Sequence, residues 1–323
     1  MSDNTVISIG EPIVDLVTTP ASPQDNLTFE AFPGGGAANM LAQVSRLGGA
    51  TAMIGEVGDD FLGQHLLERM SGMGIDVAHV RMAPDKRTGT GFVHLDGSGE
   101  RSFVFYRDTG RGGRLFTEED ISLVQQAGWF HATSVTLGST LQRTATIRAV
   151  DAALTAGVPV SFDVNYRPAL WEQPGEAHAI MLDCCRRAQV VKMSAEERDF
   201  LFGPVSNQQC AEQLHDSGVA LVCVSLGSCG SFYSGAVGSA ECPTARIHAT
   251  DTTGCGDAFM GTLLHELTSR GGLAYLAAAS REDMDEIFTR ANAAGAVCST
   301  RSGSMTAVAS RAEIEQMLTE VAR

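Results

Sequence analysis

Short apolar runs alternate along most of the chain with longer stretches whose apolar residues recur at helical spacing. The short runs are typical of buried β-strands, and the longer stretches are typical of amphipathic helices. Strands separated by helices of this length indicate parallel order with right-handed crossovers. The pattern therefore predicts an α/β fold, a doubly wound and mainly parallel sheet with helices on both faces. The predicted strands cover 6–9, 51–57, 129–132, 158–164, 190–191 and 221–225, and the predicted helices cover 40–47, 61–70, 141–156, 176–187, 208–215, 254–267, 284–296 and 311–321.

One part of the chain breaks this alternation. Residues 90–95 and 101–106 are rich in aromatic and β-branched side chains and flank a turn-forming segment at 96–99, which predicts a β-hairpin. Leu27 and Phe29 belong to an alternating segment that could add a strand to it. An antiparallel hairpin within an otherwise alternating βα chain suggests a small separate sheet that acts as a lid. We therefore expect a single domain over 1–323 with a discontinuous β-sheet lid from about 15–33 and 86–110.

Composition and charge narrow the classes of function. The 323 residues, 44% of them hydrophobic, are enough for a large buried core. The formal net charge of −15 argues against nucleic acid or an anionic membrane as a partner, because both attract basic surfaces. No stretch approaches the roughly 18 apolar residues of a membrane span, and the amino terminus has no basic n-region. The eight cysteines lack CxxC spacing, so we expect reduced thiols in a cytoplasmic protein.

The segment 251–259, DTTGCGDAF, is the clearest candidate for chemistry because it places glycines and carboxylates directly before an apolar helical pattern. Gly254 and Gly256 allow the backbone to approach a ligand closely. The first-turn amides of a helix have no partners of their own and point outward, so an anion site is predicted. Asp257 lies in the same turn. A carboxylate beside a bound anion is better explained as a general base than as a ligand.

A second group of polar residues follows the first predicted strand. Glu11 and Asp15 stand at its carboxyl edge, where ligands collect in open α/β sheets, although Asp15 could equally be a turn or solvated acid. A glycine-rich segment at 33–36 then opens a helix that carries Asn39, which could bond a ligand hydroxyl or cap locally. The chain contains neither the G-x-G-x-x-G pattern nor the P-loop pattern, which disfavours the Rossmann and P-loop interpretations.

These two segments resemble the two signatures of the ribokinase-like (PfkB) carbohydrate kinases. Gly34, Gly35 and Asn39 match the first signature and the run 251–257 matches the second, in the family's order and separation. The match extends over nearly the whole chain. The resemblance implies ATP-dependent phosphorylation of a sugar hydroxyl on a doubly wound α/β domain whose β-lid closes over the sugar. Phosphoryl transfer needs positioning and charge stabilisation, which fits the anion site predicted above.

The resemblance also implies a role for individual residues. Asp257 would take the hydroxyl proton, and the amides of Gly254, Cys255 and Gly256 would form an anion hole for the transferring phosphoryl group. The implied sugar-binding residues are Asp15, Gly34, Gly35, Asn39, Arg107, Asn165 and Arg167. The implied ATP-binding residues are Lys192, Ser194, Ser225, Gly227, Gly230 and Asn292, with Ser194 where the family usually has asparagine. Glu197 would hold Mg²⁺ through water, and Asp251 and Thr253 match the cation ligands of members that K⁺ activates.

The sugar is less sharply defined. Segments 105–107 and 162–167 resemble both fructokinases and 2-keto-3-deoxygluconate kinases. The carboxylates of Glu11 and Asp15 suit a neutral sugar and repel a sugar acid, which favours fructose. The alternatives are a 2-keto-3-deoxygluconate kinase, a ribokinase or a nucleoside kinase of the same family, and, outside enzymes, a catalytically silent sensor of sugar or nucleotide. By analogy with the family, we expect a homodimer formed through the lid.

The side chains of three residues have no assigned role. Arg111 and Arg114 follow the lid where the family often has Ser-Ala-Asp, and they either clamp an anionic group or remain solvated loop charges. Cys255 stands where relatives commonly have alanine. It is either a tolerated small residue or a thiol that the helix N-terminus makes reactive.

Overall fold

The computed structural model describes residues 4–19, 26–95, 101–108 and 114–321. The turn predicted at 96–99, part of the segment at 15–33, and Arg111 lie outside these residues. In chain order the strands are β1 (Val6–Gly10), β2 (Ile13–Thr18), β3 (Phe29–Gly34), β4 (Thr51–Gly58), β5 (Asp76–Ala83), β6 (Gly89–Leu95), β7 (Arg101–Tyr106), β8 (Trp129–Thr133), β9 (Val160–Asp163), β10 (Val190–Ser194), β11 (Leu221–Ser225), β12 (Ser231–Gly235) and β13 (Gly238–Cys242).

The helices connect these strands on both faces of the main sheet. They are α1 (Gly36–Arg46), α2 (Phe61–Gly72), α3 (Ile121–Gln125), α4 (Thr140–Thr155), α5 (Ala177–Arg187), α6 (Ala195–Phe202), α7 (Asn207–His215), α8 (Cys255–Arg270), α9 (Gly272–Ala278), α10 (Arg281–Cys298) and α11 (Arg311–Val321). None of the described helices is long and apolar enough to cross a membrane.

The main sheet has the strand order β13-β12-β11-β10-β9-β8-β1-β4-β5. Pairing is parallel from β11 to β5, and only β12 and β13 pair antiparallel at one edge. From β1, which lies between β8 and β4, the chain builds outward first through β4 and later, on the other side, through β8. This reversal opens a crevice at the carboxyl ends of the central strands, the usual ligand position in such sheets. The predicted fold class is confirmed.

Both faces of the main sheet are covered, which explains the continuous apolar runs of its strands. In β1, Ile7 and Ile9 pack into the core on one face, whereas Val6 packs into the core on the other. Successive strand residues point to opposite faces, so a strand buried on both sides needs apolar residues at every position. Each such side chain contributes about 1.5–3 kcal/mol when buried. Burial of the apolar runs therefore holds in place the strands that carry or precede the site residues.

A second, smaller sheet has the order β3-β2-β6-β7. β2 pairs antiparallel with β3 and parallel with β6, and β7 closes the hairpin with β6. The register places Asp15 level with Phe32 and Gly91, and Gly91 level with Phe105. Asp15 and Phe105 line the same cavity, so this row faces the main sheet. Phe92 and Val104 belong to the next row and lie on the outer face.

Some elements were not predicted. β5, with the sequence DVAHVRMA, is an edge strand with one partly exposed side, so charged residues interrupt its apolar pattern. β12 (SFYSG) and β13 (GSAEC) form a short hairpin around the turn at 235–238. β12 is buried but has serines on both sides of its two aromatic residues, and β13 is the partly exposed edge strand, so neither gives a strong apolar signal.

Candidate active site

A cavity of about 720 Å³ lies between the carboxyl ends of the main-sheet strands and the inner face of the small sheet. Its wall is formed by residues that follow β1, β8 and β9, by Lys192 on β10, by residues on or next to the small sheet, by the start of α1, and by the segment 249–257 that leads into α8. Residues from the two sequence signatures therefore meet in one cavity, as their proposed chemistry requires.

Asp257 is buried in this cavity, in the first turn of α8. Gly254 precedes the helix with a left-handed backbone, φ 80°, a conformation that glycine adopts without strain. Asn39 Nδ2 donates to Asp257 Oδ2 at 2.8 Å, and Asn165 Nδ2 donates to Asp257 Oδ1 at 3.3 Å. Burial raises the pKa of Asp257 above its ordinary value, and the bond from Asn39 offsets part of that rise. A carboxylate in this state is suited to accept a proton.

The two asparagines are themselves fixed in position. Asn39 lies on α1, and its Oδ1 accepts a hydrogen bond of 3.1 Å from the hydroxyl of Ser304. Asn165 has φ 37°, a left-handed conformation that asparagine tolerates better than most residues, and its carbonyl accepts from Ser134 Oγ at 3.3 Å. Both side chains line the cavity, where sugar contacts were predicted for them, and both also donate to Asp257.

Asp15 lies opposite Asp257, on β2 of the small sheet. Burial, together with the nearby Asp251 and Asp257 carboxylates, raises the pKa of Asp15 to about 7. Gly34 and Gly91 leave space for it, because an ideal Cβ would stand 2.1 Å from Asp15 Oδ2 at position 34 and 2.8 Å from Asp15 Oδ1 at position 91. Gly34 does not line the cavity, so its effect on a ligand would act through Asp15.

Gly35 does line the cavity, with a backbone conformation that a larger residue would not adopt. Its φ is 107°, and an ideal Cβ would stand 2.6 Å from the carbonyl oxygen of Glu11. Gly36, the next residue, faces Asn165 Nδ2 with an ideal Cβ distance of 2.8 Å. The glycines of the first signature therefore bring the start of α1 against the end of β1 and against the asparagine beside Asp257.

A buried ion pair lies beneath the start of α8. Lys192 Nζ on β10 is 2.9 Å from Asp163 Oδ2, at the carboxyl end of the adjacent β9. Burial lowers the pKa of Lys192, but the Asp163, Glu197 and Asp257 carboxylates outweigh it and raise that pKa. An ideal Cβ at Gly256 would stand only 2.7 Å from Lys192 Nζ. The ammonium group therefore lies against the backbone of the predicted anion hole.

Glu197 and Ser194 form a capping box at the start of α6. Glu197 Oε2 accepts from the amide of Ser194 at 2.7 Å, and the amide of Glu197 donates to Ser194 Oγ at 3.2 Å. The other oxygen of Glu197 accepts from the amide of Tyr166 at 2.6 Å. Within the described residues, no cluster of three His, Cys, Asp or Glu side chains could hold a metal ion. Glu197 thus ties α6 to the segment that carries Asn165.

Asp251 and Thr253 belong to the loop before α8. Asp251 Oδ1 accepts from the amide of Thr253 at 2.7 Å, and Asp251 Oδ2 accepts from the amide of Gly303 at 3.3 Å. Cys255 Sγ contacts the carbonyl oxygen of Asp251 at 3.9 Å, and Cys255 does not line the cavity. The carboxylate of Asp251 therefore joins this loop to the loop at 302–304 and fixes the approach to the anion hole.

The predicted ATP-binding residues other than Lys192 lie along the sheet beside the cavity. Ser194 and Ser225 are register partners at the carboxyl ends of β10 and β11. Gly227 and Gly230, with φ of 57° and 100°, form the tight turn that follows β11. Asn292 on α10 is buried and donates to the carbonyl oxygen of Cys242 at 2.9 Å, at the end of β13. These residues therefore form a strip that starts at the cavity and runs toward the sheet edge.

The predicted arginines differ in their surroundings. The Arg107 side chain is only 6% exposed and donates through Nε to Glu11 Oε2 at 2.6 Å, whereas Arg167 is exposed at the cavity mouth. Arg114 lies outside the cavity wall, and its backbone amide donates to Glu56 Oε1 at 3.1 Å. Its exposed side chain agrees with the interpretation as a loop charge.

Comparison with known proteins identifies the family. The model of the pfkB family of carbohydrate kinases matches residues 3–311. The chain belongs to this family. It is 34% identical over 317 residues to Fructokinase-1 of Zea mays, and the match covers 97% of each chain.

Solved structures of other pfkB kinases agree with this assignment. A fructokinase from Xylella fastidiosa with bound ATP matches over 100% of both chains, with a TM-score of 0.89 and 28% identity. A Vibrio cholerae fructokinase, solved with fructose, ADP and calcium ion, matches 98% of this chain and 100% of that one, with a TM-score of 0.84 and 29% identity. The predicted membership of the fructokinase-like branch is confirmed, and the chain is a carbohydrate kinase.

Several residues of this pfkB kinase site were missed in the sequence. Asp163 stands at the end of a predicted strand beside Lys192, and its place at a carboxyl strand end was the available signal. Lys86 and Gln142 come from segments with no such mark, and only the tertiary structure brings them to Glu11 at the cavity wall.

Proposed function

We propose that the protein is an ATP-dependent fructokinase that transfers the γ-phosphate of ATP to a hydroxyl of the sugar. The observation that carries the proposal is the buried Asp257 carboxylate, which lies in the first turn of α8 and faces a cavity that also contains Asp15. Support for fructose as the sugar comes from the fructokinases that match over nearly their full length.

The reaction needs one base and one anion site. Asp257 takes the proton of the attacking hydroxyl, the hydroxyl oxygen forms the new bond to the γ-phosphorus, and ADP leaves with the electrons of the broken bond. The backbone amides of Gly254, Cys255 and Gly256 stabilise the charge on the transferring group, since a helix N-terminus carries partial positive charge. The Lys192 ammonium, which lies against Gly256, adds a full charge to that site.

We assign the sugar to the cavity between the two sheets. Asp15, Gly35, Asn39, Arg107, Asn165 and Arg167 contact it there, and Gly34 acts by leaving room for Asp15. The nucleotide lies along the strip formed by Ser194, Ser225, Gly227, Gly230 and Asn292, with its phosphates toward Lys192 and the start of α8. The small sheet acts as the lid, and it excludes water that would otherwise hydrolyse ATP.

We also propose two ions. Mg²⁺ usually binds through one or two carboxylates together with substrate phosphates and waters, so an incomplete protein shell suits it. Glu197, with Asp163 nearby, would hold it through water, and the ion would neutralise charge on the phosphates. Asp251 and Thr253 would hold K⁺ in the loop before α8, next to the anion hole.

All eight cysteines are free, which fits the reducing cytoplasm, where we expect cell fractionation to recover the protein.

One observation supports a second substrate class. The exposed Arg167 guanidinium lines the cavity mouth, and an arginine suits the carboxylate of a sugar acid such as 2-keto-3-deoxygluconate. Asp15 and Asp257 oppose that substrate, because two carboxylates in the cavity repel a third. We therefore rank the neutral sugar first.

The outer face of the small sheet supports a homodimer. Phe29, Phe92 and Tyr106 form a row of edge-to-face aromatic contacts, with ring centroids 5.4 and 5.5 Å apart. Val104 and Tyr106 are 53% and 64% exposed. We propose that a second copy of the chain covers this apolar face.

The first prediction concerns the substrate. In an ADP-release assay with ATP and Mg²⁺, fructose should give the highest kcat/KM among fructose, ribose, 2-keto-3-deoxygluconate and a set of nucleosides. Preference for the sugar acid would favour the second class. No turnover on any of these acceptors, with ATP binding intact, would favour the silent sensor instead.

The second prediction concerns the base. Asp257→Asn should lower kcat by about 10²–10⁴-fold, because the amide cannot accept the hydroxyl proton. Its hydrogen bonds to Asn39 and Asn165 can be kept in part, so the Kd for ATP should change little, which calorimetry would measure. An unchanged kcat would show that another group is the base.

The third prediction concerns the dimer. Sedimentation should give twice the monomer mass for the wild type and the monomer mass for Val104→Asp, because a buried unpaired carboxylate opposes association. Leu141→Asp is the matched control, since Leu141 is a comparably exposed apolar residue on α4, which packs against β8 and β9 of the main sheet. A monomeric wild type, or loss of the dimer in the control alone, would contradict the proposal.

A further inference from the structure

Three of the segments that connect the two sheets carry charged residues that meet at one buried point. Glu11 lies in the link from β1 to β2, Lys86 in the link from β5 to β6, and Arg107 directly after β7. Glu11 Oε2 accepts from Arg107 Nε at 2.6 Å, and Glu11 Oε1 lies 3.1 Å from Lys86 Nζ. The carboxylate therefore joins the main sheet to both ends of the hairpin formed by β6 and β7.

The surrounding residues leave Arg107 little freedom. Its Nη2 donates to Gln142 Oε1 at 3.1 Å and its Nη1 to the carbonyl oxygen of Val135 at 3.4 Å. Gln142 Nε2 in turn donates to Glu11 Oε2 at 3.3 Å. An ideal Cβ at position 89 would stand 3.6 Å from both Glu11 Oε1 and Arg107 Cγ. A guanidinium that donates from Nε, Nη1 and Nη2 to groups on several sides keeps one orientation.

The charges at this point balance within the protein. Burial alone would raise the pKa of Glu11, but Arg107 and Lys86 outweigh it and hold that pKa below its ordinary value. Lys86 also lies 3.9 Å from Glu56 Oε2. Two carboxylates thus face two cations in a region almost closed to water. Neutralising Glu11 leaves the buried Arg107 guanidinium without the Glu11 carboxylate, whereas neutralising Glu56 leaves the contact between Glu11 and Arg107 in place.

We propose that Glu11 is a positioning residue for the kinase reaction, which acts by holding the Arg107 guanidinium in the sugar cavity and by fixing the hairpin of the small sheet to the main sheet. The inference rests on the proposed function for its link to the sugar. It concerns a residue outside the two signatures, and its basis is the convergence of Glu11, Lys86, Arg107 and Gln142. Disturbing it should weaken sugar binding and leave the base and the anion hole intact.

Glu56 provides a matched control. Glu11 and Glu56 are 4% and 2% exposed, and each lies within 4.0 Å of Lys86 Nζ, at 3.1 and 3.9 Å. Only Glu11 lines the cavity and contacts Arg107. Glu11→Gln and Glu56→Gln therefore make the same chemical change at the same depth, with different consequences for the guanidinium.

The fourth prediction compares these two variants, with the sugar that the wild type phosphorylates best. Glu11→Gln should raise the KM for sugar at least about tenfold, as a misplaced positioning group does, with kcat and the KM for ATP within about threefold. Glu56→Gln should leave all three within about threefold. In the Arg107→Met background, Glu11→Gln should add less than about twofold to the KM for sugar, because its effect acts through Arg107. Equal effects of the two single variants, or independent effects in the double variant, would overturn the proposal.

A readout without substrate separates this proposal from the proposed function. Amide hydrogen exchange over residues 101–108 should be faster in Glu11→Gln than in Glu56→Gln, because the first variant releases the end of β7. That comparison can be made even if no acceptor is phosphorylated. Absence of phosphorylation would contradict the proposed function but would leave the proposal about Glu11 open to this test. The same exchange in both variants would refute the role of Glu11. If Glu11→Gln does not fold, Glu11→Asp serves instead, with the same order of effects against Glu56→Asp.

Discussion

In the proposed reaction, the Asp257 carboxylate must remain available as a proton acceptor although it is buried, and much of the site follows from this constraint. An isolated buried charge is strongly disfavoured, so such a group needs donors and nearby cations. Asn39 and Asn165 supply the hydrogen bonds, and Lys192 contributes positive charge from β10. Asn39 and Asp257 are 218 residues apart in the chain. Their bond therefore couples α1 to α8 and requires the doubly wound sheet to be complete.

Other buried charged groups around the cavity are also paired with groups of opposite charge. Asp163 pairs with Lys192 below the start of α8, and Glu11 pairs with Arg107 at the edge of the small sheet. Burial and the nearby carboxylates of Asp251 and Asp257 raise the pKa of Asp15 to about 7. A ligand with hydroxyl groups would therefore find hydrogen-bond donors and acceptors in fixed orientations along the cavity wall. The site thus combines cations that are locked within the protein with carboxylates that face the ligand.

The sequence was informative where a local rule decides the structure. Apolar runs buried on both faces marked the central strands, and the glycines around Asp257 marked a helix start that can hold an anion. Other features depend on partners distant in sequence. Glu197, predicted to hold Mg²⁺, also caps α6 and binds the amide of Tyr166, and Asn39 and Asn165 bind Asp257 as well as facing the cavity. The edge strand β5 was missed because one partly exposed side dilutes its apolar pattern. Lys86 and Gln142 were missed because only tertiary packing brings them to Glu11.

The most direct test of this account is the pH dependence of kcat/KM in Asn39→Ala. Burial raises the pKa of Asp257 and the bond from Asn39 lowers it in part, so removing that bond should raise the pKa further. Because the base works only when deprotonated, the acid limb of the profile should then move to higher pH. Ser304→Ala, which removes the partner of Asn39 Oδ1 and leaves the bond to Asp257, should move it much less. An acid limb that stays at the wild-type position in Asn39→Ala would contradict the role of Asp257 as a base held by Asn39.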